Sequence, residues 1–319
     1  MKPVISNDGS EGRAVSASDI PSKLRDFLGR ARTRFHTTSE RVRTIFQNGA
    51  FQKQMPEKPV LPPEVENTHD IYYFLHIPKT AGVSVSRYLT EAFTKEATFS
   101  GSFVRDLSEF TRADLLKKKL FVGHMFGLPD PFLGRKTRKI TFLRDPFDRA
   151  VSNILHKQRY EPSLLSELVR QYSVEQVLTN PAFAWIHSNY QARYIATLAF
   201  SVYSLVDMPP EGHGHPHHLM ERLYYELFSG SGLLEVCQTL LGQFDFIGLT
   251  EYTKLSLLGV AEAWRLPYPS REYKENTNPD RANYAEMVSE TVRREFYRLN
   301  EVDYELYNLV KKRLVRGES

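Results

Sequence analysis

IYYFLHIPKTAGVSVSRYL, residues 71–89, joins an apolar run to a helical pattern through a short turn-forming segment. The run Ile71–His76 predicts a buried strand, and the spacing of apolar residues after Gly82 predicts an amphipathic helix. Between them, Pro78–Gly82 predicts a loop that points backbone N–H groups and a helix N-terminus at one spot. Such a loop is suited to bind phosphate or phosphosulfate, and Lys79 adds a mobile positive charge. The stretch therefore predicts a strand, an anion-binding loop and a helix.

The order of residues in this loop differs from the phosphate loop of nucleoside triphosphatases. In the pattern G-x-x-x-x-G-K-[ST], the lysine directly follows a glycine. Here Lys79 follows Pro78 and comes before Gly82. The segment therefore predicts a different class of anion site.

A second strand-to-helix element, KITFLRDPFDRAVSNIL, spans residues 139–155. Asp145 is a favourable N-cap, and Pro146 fits the first helical position because an N–H there has no intrahelical partner. Arg144 is then placed at the carboxyl end of the strand. Ser152 follows on the helix, so Arg144 and Ser152 can contact one ligand.

Two further residues, Arg149 and His156, lie on the same predicted helical face as Ser152. Two interpretations stay open: they line the cleft near Ser152, or they bond to nearby carboxylates. Short apolar strands alternate with helical patterns along the chain, which predicts an α/β domain with a mainly parallel sheet flanked by helices. Because the carboxyl ends of parallel strands meet at one edge, Lys79 and Arg144 are expected to share one crevice.

HIPKTAGVS together with LRDPFDRAVS resembles the two cofactor motifs of sulfotransferases that use 3′-phosphoadenosine 5′-phosphosulfate (PAPS). The nearest group is sulfotransferase family 2, which contains heparan sulfate 2-O-sulfotransferase and its bacterial relatives. The resemblance runs from about residue 70 to the C-terminus, through four further pieces in order: FVGHMFG, SNYQARYI, FDFIGLTEY and DYELYNLVKKRL. It implies a sulfotransferase fold like that of P-loop nucleotide-binding proteins.

The resemblance also implies roles for individual residues. Arg144 and Ser152 match the positions that hold the 3′-phosphate of PAPS. Lys274, in a late polar loop, is either a nucleotide contact or a solvated lysine. The 5′-phosphosulfate would be held by Lys79, Thr80, Ala81, Gly82, Val83 and Ser84. The family commonly has threonine at the position of Val83, so one hydroxyl ligand is missing here while the backbone N–H remains.

Sulfuryl transfer needs a base for the acceptor hydroxyl and positive charge for the departing phosphate oxygen. His124 follows the predicted strand Leu120–Gly123 and matches the family's Gly-His position near the catalytic base. A neutral imidazole is a suitable proton acceptor near pH 7. Lys79 is predicted to supply the positive charge. The other interpretation of His124 is a histidine that only bonds to a loop.

The predicted function is a PAPS-dependent sulfotransferase that acts on a hydroxyl group, with a carbohydrate or glycoconjugate as acceptor and no metal cofactor. Two alternatives stay open: a phosphotransferase that uses magnesium and a triphosphate, and a non-catalytic nucleotide- or glycan-binding protein. One histidine run, with His213, His215, His217 and His218, is either a weak zinc or nickel site or a surface loop.

Composition and charge set the remaining expectations. The chain has 319 residues and a net charge of +4 spread along its length, which does not favour a nucleic-acid partner. It lacks a signal-peptide pattern and an apolar run of about 20 residues, which predicts a cytoplasmic protein. The single cysteine, Cys237, excludes an internal disulfide and is predicted to be a core residue.

The sulfotransferase domain is predicted to span residues 70–319, preceded by an N-terminal extension over residues 1–69. This extension has a polar start that predicts disorder up to about Ser18, a basic amphipathic helix between Ile20 and Phe35, and a Pro-rich linker, Met55–Pro63. The basic helix either contacts an anionic membrane surface peripherally or docks on its own domain or a partner.

Overall fold

The computed structural model describes residues 71–99, 101, 106–107, 110–125, 130–161, 163–199, 221–222, 225–226, 228, 232–273, 284 and 286–316. All of them belong to one compact unit, Met55–Ser319. The predicted N-terminal extension, the histidine run His213–His218 and Lys274 lie outside the described residues.

Five described strands form one parallel sheet in the order β2-β3-β1-β4-β5. The strands are β1 (Ile71–Leu75), β2 (Thr98–Phe99), β3 (Leu120–Gly123), β4 (Thr137–Leu143) and β5 (Phe246–Leu249). In the central register, Leu75 lies between Gly123 of β3 and Thr141 of β4. The prediction of an α/β domain with a parallel sheet flanked by helices is confirmed.

Helices separate and follow these strands in the described ranges. They are α1 (Gly82–Phe93), α2 (Arg112–Leu115), α3 (Asp130–Leu133), α4 (Pro146–Arg159), α5 (Leu164–Val169), α6 (Val174–Thr179), α7 (Tyr190–Ala196), α8 (Leu233–Leu241), α9 (Thr253–Trp264), α10 (Glu290–Leu299) and α11 (Glu301–Arg316). Short 3₁₀ helices span Pro181–Ile186, Thr197–Ala199 and Thr250–Tyr252. None of these described helices is long and apolar enough to cross a membrane.

Helix starts follow the predicted capping chemistry. Asp145 accepts a hydrogen bond from the backbone N–H of Asp148 at 3.1 Å, and Pro146 opens α4. Ser173 and Gln176 form a capping box at the start of α6. The chain between α5 and Ala199 forms short helical segments, and Asn180 caps the 3₁₀ helix that begins at Pro181.

Two apolar clusters hold α1, α4 and α9 in place. One packs Phe74 and Phe142 of the sheet against α1 and α9. The other joins α4, through residues such as Ile154, to α6 and to Phe296 of α10. These clusters fix α1 after the carboxyl end of β1, and α4 after the carboxyl end of β4.

The path of the chain changes direction across the sheet between β1 and β4. The connection from β1 runs through α1 toward β2 on one side of the sheet, whereas β4 continues toward β5 on the other side. Ligands of open parallel sheets bind beyond the carboxyl ends of strands at such a point. The loop after β1 and residue Arg144 after β4 both lie there.

Candidate anion-binding and catalytic site

The loop between β1 and α1 has a tight and strained backbone. Lys79 has a φ of 71° and Ala81 a φ of 62°, in the left-handed region that costs a non-glycine residue about 1 kcal/mol or more. The buried hydroxyl of Thr80 donates a hydrogen bond to the carbonyl of Ile77 at 2.8 Å. This bond closes the turn, so the side chain of Thr80 shapes the loop and its hydroxyl proton is already used.

The imidazole of His76 leaves no room for a side chain at Gly82, the first residue of α1. The ring of His76 lies where a Cβ on Gly82 would be, so a side chain there would overlap the ring directly. The two neighbouring residues face opposite ways: Val83 is 48 % exposed, whereas Ser84 is buried. The start of α1 is therefore shaped by the ring of His76 packed against the Gly82 backbone.

Gly82→Ala is expected to lower the free energy of unfolding by about 1–3 kcal/mol, because the methyl group displaces the His76 ring. Urea unfolding checks the value. Gly242→Ala is the matched control, since its Cβ would lie 3.8 Å from the nearest atom, the carbonyl oxygen of Thr239. The control should leave stability unchanged or raise it by about 0.4–1 kcal/mol. Equal effects of the two substitutions would contradict the packing argument.

Arg144 joins the two predicted motifs directly. Its Nη1 donates a hydrogen bond to the backbone carbonyl of Lys79 at 3.3 Å, and its Nη2 lies 3.9 Å from a carboxylate oxygen of Asp148. Its Nε is buried and has no hydrogen-bond partner among the described residues. Buried donors of this kind normally have a partner, so an anionic ligand at this place would satisfy it.

The side chain of Gln191 in α7 forms two hydrogen bonds with the backbone of Arg144. The N–H of Arg144 donates to Oε1 of Gln191 at 2.9 Å, and Nε2 of Gln191 donates to the carbonyl of Arg144 at 2.8 Å. The carboxylate of Asp303 in α11 in turn accepts from the backbone N–H groups of Gln191 and Ala192 at 3.1 and 2.7 Å. Three separate parts of the chain therefore fix the position of Arg144.

Positive charge is concentrated around the ammonium group of Lys79. Burial, followed by the nearby charges of Arg144, Lys157 and Arg149, lowers the pKa of Lys79 to about 8, although Glu161 acts in the opposite direction. The buried Nζ of Lys157 lies 3.1 Å from Oε2 of Glu161. A buried cluster with this excess of cations is suited to bind an anion.

Sequence reasoning did not single out Lys157 or Glu161. Both continue the helical series that starts at Arg149, because they follow it at steps of four residues through Asn153. This spacing of four residues was the signal in the sequence that could have identified Lys157 and Glu161. A lysine and a glutamate four residues apart also form ordinary surface pairs, so the sequence alone does not bring this pair to Lys79.

The open question about Arg149 is answered by its burial. Its side chain is wholly buried, its Nη2 donates to the carbonyl of Ile186 at 3.1 Å, and its guanidinium carbon lies 3.9 Å from the centre of the Tyr190 ring. Arg149 therefore packs beneath the site and does not line an open cleft. Ser152, one turn further on, is 8 % exposed.

His156 lies close enough to Lys79 for the charge of the ammonium group to affect its imidazole. Burial first, and then the charges of Lys79 and Lys157, lower the pKa of its imidazole. This side chain is therefore kept mainly neutral beside the cationic cluster. The interpretation that places His156 at the edge of the same cleft fits this position.

His124 contacts the residue that opens the anion loop. Its Nδ1 lies 2.9 Å from the carbonyl oxygen of His76, and the two imidazole rings are stacked with centres 4.2 Å apart. The backbone N–H of His76 donates to the carbonyl of Gly123 at 3.1 Å. Adjacent strands β1 and β3 thus bring His124 to the base of the loop that carries Lys79. The role of His76 was missed, although it is the first residue of the quoted motif HIPKTAGVS.

Those predicted site residues that the structure describes are therefore gathered at one edge of the sheet. Residues 79–84 follow β1, Arg144 and Ser152 follow β4, and His124 follows β3. No protein-family model matches the chain, and no curated protein matches it significantly.

Proposed function

We propose that this protein is a PAPS-dependent sulfotransferase with a sulfotransferase fold related to P-loop nucleotide-binding proteins. The observation that carries the proposal is the contact between Arg144 and Lys79, which joins two anion-binding motifs beside an unpaired buried donor. A sulfate donor such as PAPS, which carries two separate phosphate groups, fits two such motifs. The resemblance of the motifs supplies the acceptor class, a hydroxyl group of a carbohydrate or glycoconjugate.

In this proposal the loop after β1 holds the 5′-phosphosulfate. Lys79 contributes charge, and the backbone of residues 80–84 contributes N–H donors at the start of α1. Because Thr80 already donates its hydroxyl proton to Ile77, it acts on the ligand through its backbone. Val83 contributes no hydroxyl either. The 3′-phosphate is assigned to Arg144 and Ser152, whose guanidinium and hydroxyl groups are suitable donors.

His124 is assigned the role of base. As the acceptor oxygen bonds to sulfur, its proton passes to the imidazole, and the bond between sulfur and the 5′-phosphate oxygen breaks. The products are the sulfate ester, the protonated imidazole and 3′,5′-diphosphoadenosine. Lys79 stabilises the negative charge that remains on the departing phosphate.

The proposal is tested by calorimetric binding of 3′,5′-diphosphoadenosine, the spent donor. Metal-independent binding that is preferred over ADP, and that falls at least about tenfold in Arg144→Ala, is the expected result. Arg138→Ala is the matched control, because Arg138 lies on β4, the strand that Arg144 follows, but pairs with Asp245. Binding only of ATP with magnesium would favour a phosphotransferase. Binding of diphosphoadenosine without any sulfate transfer from labelled PAPS would favour a non-catalytic nucleotide-binding protein.

The affinity for 3′,5′-diphosphoadenosine is expected to fall as the pH rises through about 8. At that pH the half-buried Lys79 loses its proton, because its pKa is lowered to about 8, and the phosphate loses a charged partner. The ligand itself is almost fully ionised above about pH 7, since the second phosphate pKa is about 6. Calorimetry from about pH 7 to about 9.5 measures the profile. Lys79→Arg should give a flat profile, because arginine stays charged throughout. A fall of the same size in Lys79→Arg would assign the titration to another group.

A further inference from the structure

The stacked histidine pair at the carboxyl ends of β1 and β3 carries an inference that rests on the proposed function and deepens it. A backbone carbonyl oxygen can only accept a hydrogen bond. Since Nδ1 of His124 lies 2.9 Å from the carbonyl oxygen of His76, Nδ1 must carry the proton. In the neutral imidazole the lone pair is then on Nε2. The contact therefore selects the tautomer in which Nε2 is the proton acceptor.

The side chain of His76 fixes the orientation of His124 as well. The two rings are stacked at an angle of 30° with centres 4.2 Å apart. The His76 ring also lies against Gly82, where a Cβ would overlap it. Phe74 also stacks with His76, at 5.5 Å between ring centres. Contacts with Phe74 and Gly82 hold the ring of His76 in place. The ring of His124, which stacks on it, is therefore held in a fixed orientation as well.

The backbone connects this pair to the cationic group of the site. His76 donates its N–H to Gly123, and its own carbonyl receives the imidazole of His124. Lys79 follows His76 after Ile77 and Pro78, and Pro78 has a fixed φ. The spacing between the imidazole of His124 and the backbone of Lys79 is therefore set by a short and stiff segment.

We propose that His76 is a positioning residue, whose carbonyl oxygen fixes the tautomer of His124 and whose ring fixes its orientation toward the acceptor hydroxyl. His76 itself does not take the proton. Proper alignment of a base is worth large factors in rate, and a displacement of about 1 Å costs about a hundredfold. A structural role alone would change stability and leave the tautomer and the ratio of kcat to KM unaffected.

Nitrogen-15 NMR of histidine-labelled protein tests the tautomer without any need for turnover. At about pH 8.5, where an ordinary imidazole is neutral, the wild type should show a protonated Nδ1 and an unprotonated Nε2 for His124. The signals are assigned with His124→Gln. A protonated Nε2 in the wild type would overturn the proposal, whether or not the protein transfers sulfate.

Two substitutions at His76 then test the ring while the backbone carbonyl is kept. His76→Ala removes the stack that holds the ring of His124 against this carbonyl, so both nitrogen signals of His124 should move toward those of free histidine. Its kcat should fall about tenfold to a hundredfold, while the Kd for 3′,5′-diphosphoadenosine changes less than about threefold. His76→Phe restores a planar ring and should recover the NMR signals and most of kcat. Unchanged signals and kcat in His76→Ala would overturn the positioning role. Absence of PAPS turnover in the wild type would count against the proposed function alone.

Discussion

Lys79→Met is expected to remove about 99 % or more of sulfate transfer from PAPS, equivalent to at least about a hundredfold loss in kcat. The substitution leaves the fold intact but removes the mobile positive charge that faces the departing phosphate. Labelled PAPS and an accepted hydroxyl substrate give the measurement. Lys79→Arg keeps the charge and should retain a larger share of the activity. Lys117→Met is a further control, because Lys117 is an exposed lysine paired with Asp114. Full activity of Lys79→Met would remove Lys79 from the mechanism.

The same variant is expected to be at least as stable as the wild type below about pH 8. Burial and neighbouring cations lower the pKa of Lys79 to about 8, so the ammonium form is disfavoured in the folded protein relative to the unfolded chain. This unfavourable contribution is fully present below pH 8 and disappears between pH 8 and the ordinary lysine pKa of about 10.4. Urea unfolding at pH 7 and about pH 10 measures the difference. A variant that is both inactive and unstable would instead indicate a structural role.

Asp303→Ala is expected to lower the free energy of unfolding by about 3–5 kcal/mol. The wholly buried carboxylate accepts hydrogen bonds from the backbone of Gln191 and Ala192, and it lies close enough to the buried Arg149 and Arg193 to lower their mutual repulsion. Its loss leaves two buried N–H groups without an acceptor, and it removes one of the two carboxylates, Asp303 and Glu221, that offset the charges of Arg149 and Arg193. Urea unfolding with a constant slope measures the change.

Two variants of the same helix serve as controls for Asp303. Glu301→Ala removes an exposed carboxylate from the first turn of α11 and should cost less than about 1 kcal/mol. Asp303→Asn keeps one acceptor oxygen but loses the charge, so it should lie between wild type and Asp303→Ala. Asp303→Asn should also weaken 3′,5′-diphosphoadenosine binding. Asp303 holds Gln191, and Gln191 in turn forms hydrogen bonds with the backbone of Arg144. Equal stability of Asp303→Ala and Glu301→Ala would show that the carboxylate contributes little.

Local patterns in the sequence predicted the elements that carry the site. The strand Leu120–Gly123 was predicted with its observed bounds, and the start of α4 followed from the side chain of Asp145 and the fixed φ of Pro146. Each of these features depends on residues within one turn or one strand. The predicted burial of Cys237 is also confirmed, since its side chain is fully buried.

Features that depend on side chains far apart in the sequence were not predicted. The strand-to-helix element was predicted from residue 139, whereas β4 begins at Thr137. Lys139 is buried through an ion pair with Asp130 at 2.8 Å, although a lysine in a strand pattern normally indicates exposure. Near the C-terminus, α10 and α11 are separated at Asn300, whose side-chain oxygen accepts the backbone N–H of Asn189 at 2.8 Å. Sequence periodicity contains no information about such partners.

The bond from Asp303 to the start of α7 has a consequence for the order of folding. Gln191 and Asp303 are 112 positions apart, and Gln191 is 47 positions from Arg144. Contacts of such long range form late, because loop closure must precede them. Strands β1 to β4 and the anion loop can assemble from the region before α4 alone. Arg144 reaches its final place only when residue 303 has joined the fold, so anion binding should appear in the last kinetic phase of refolding.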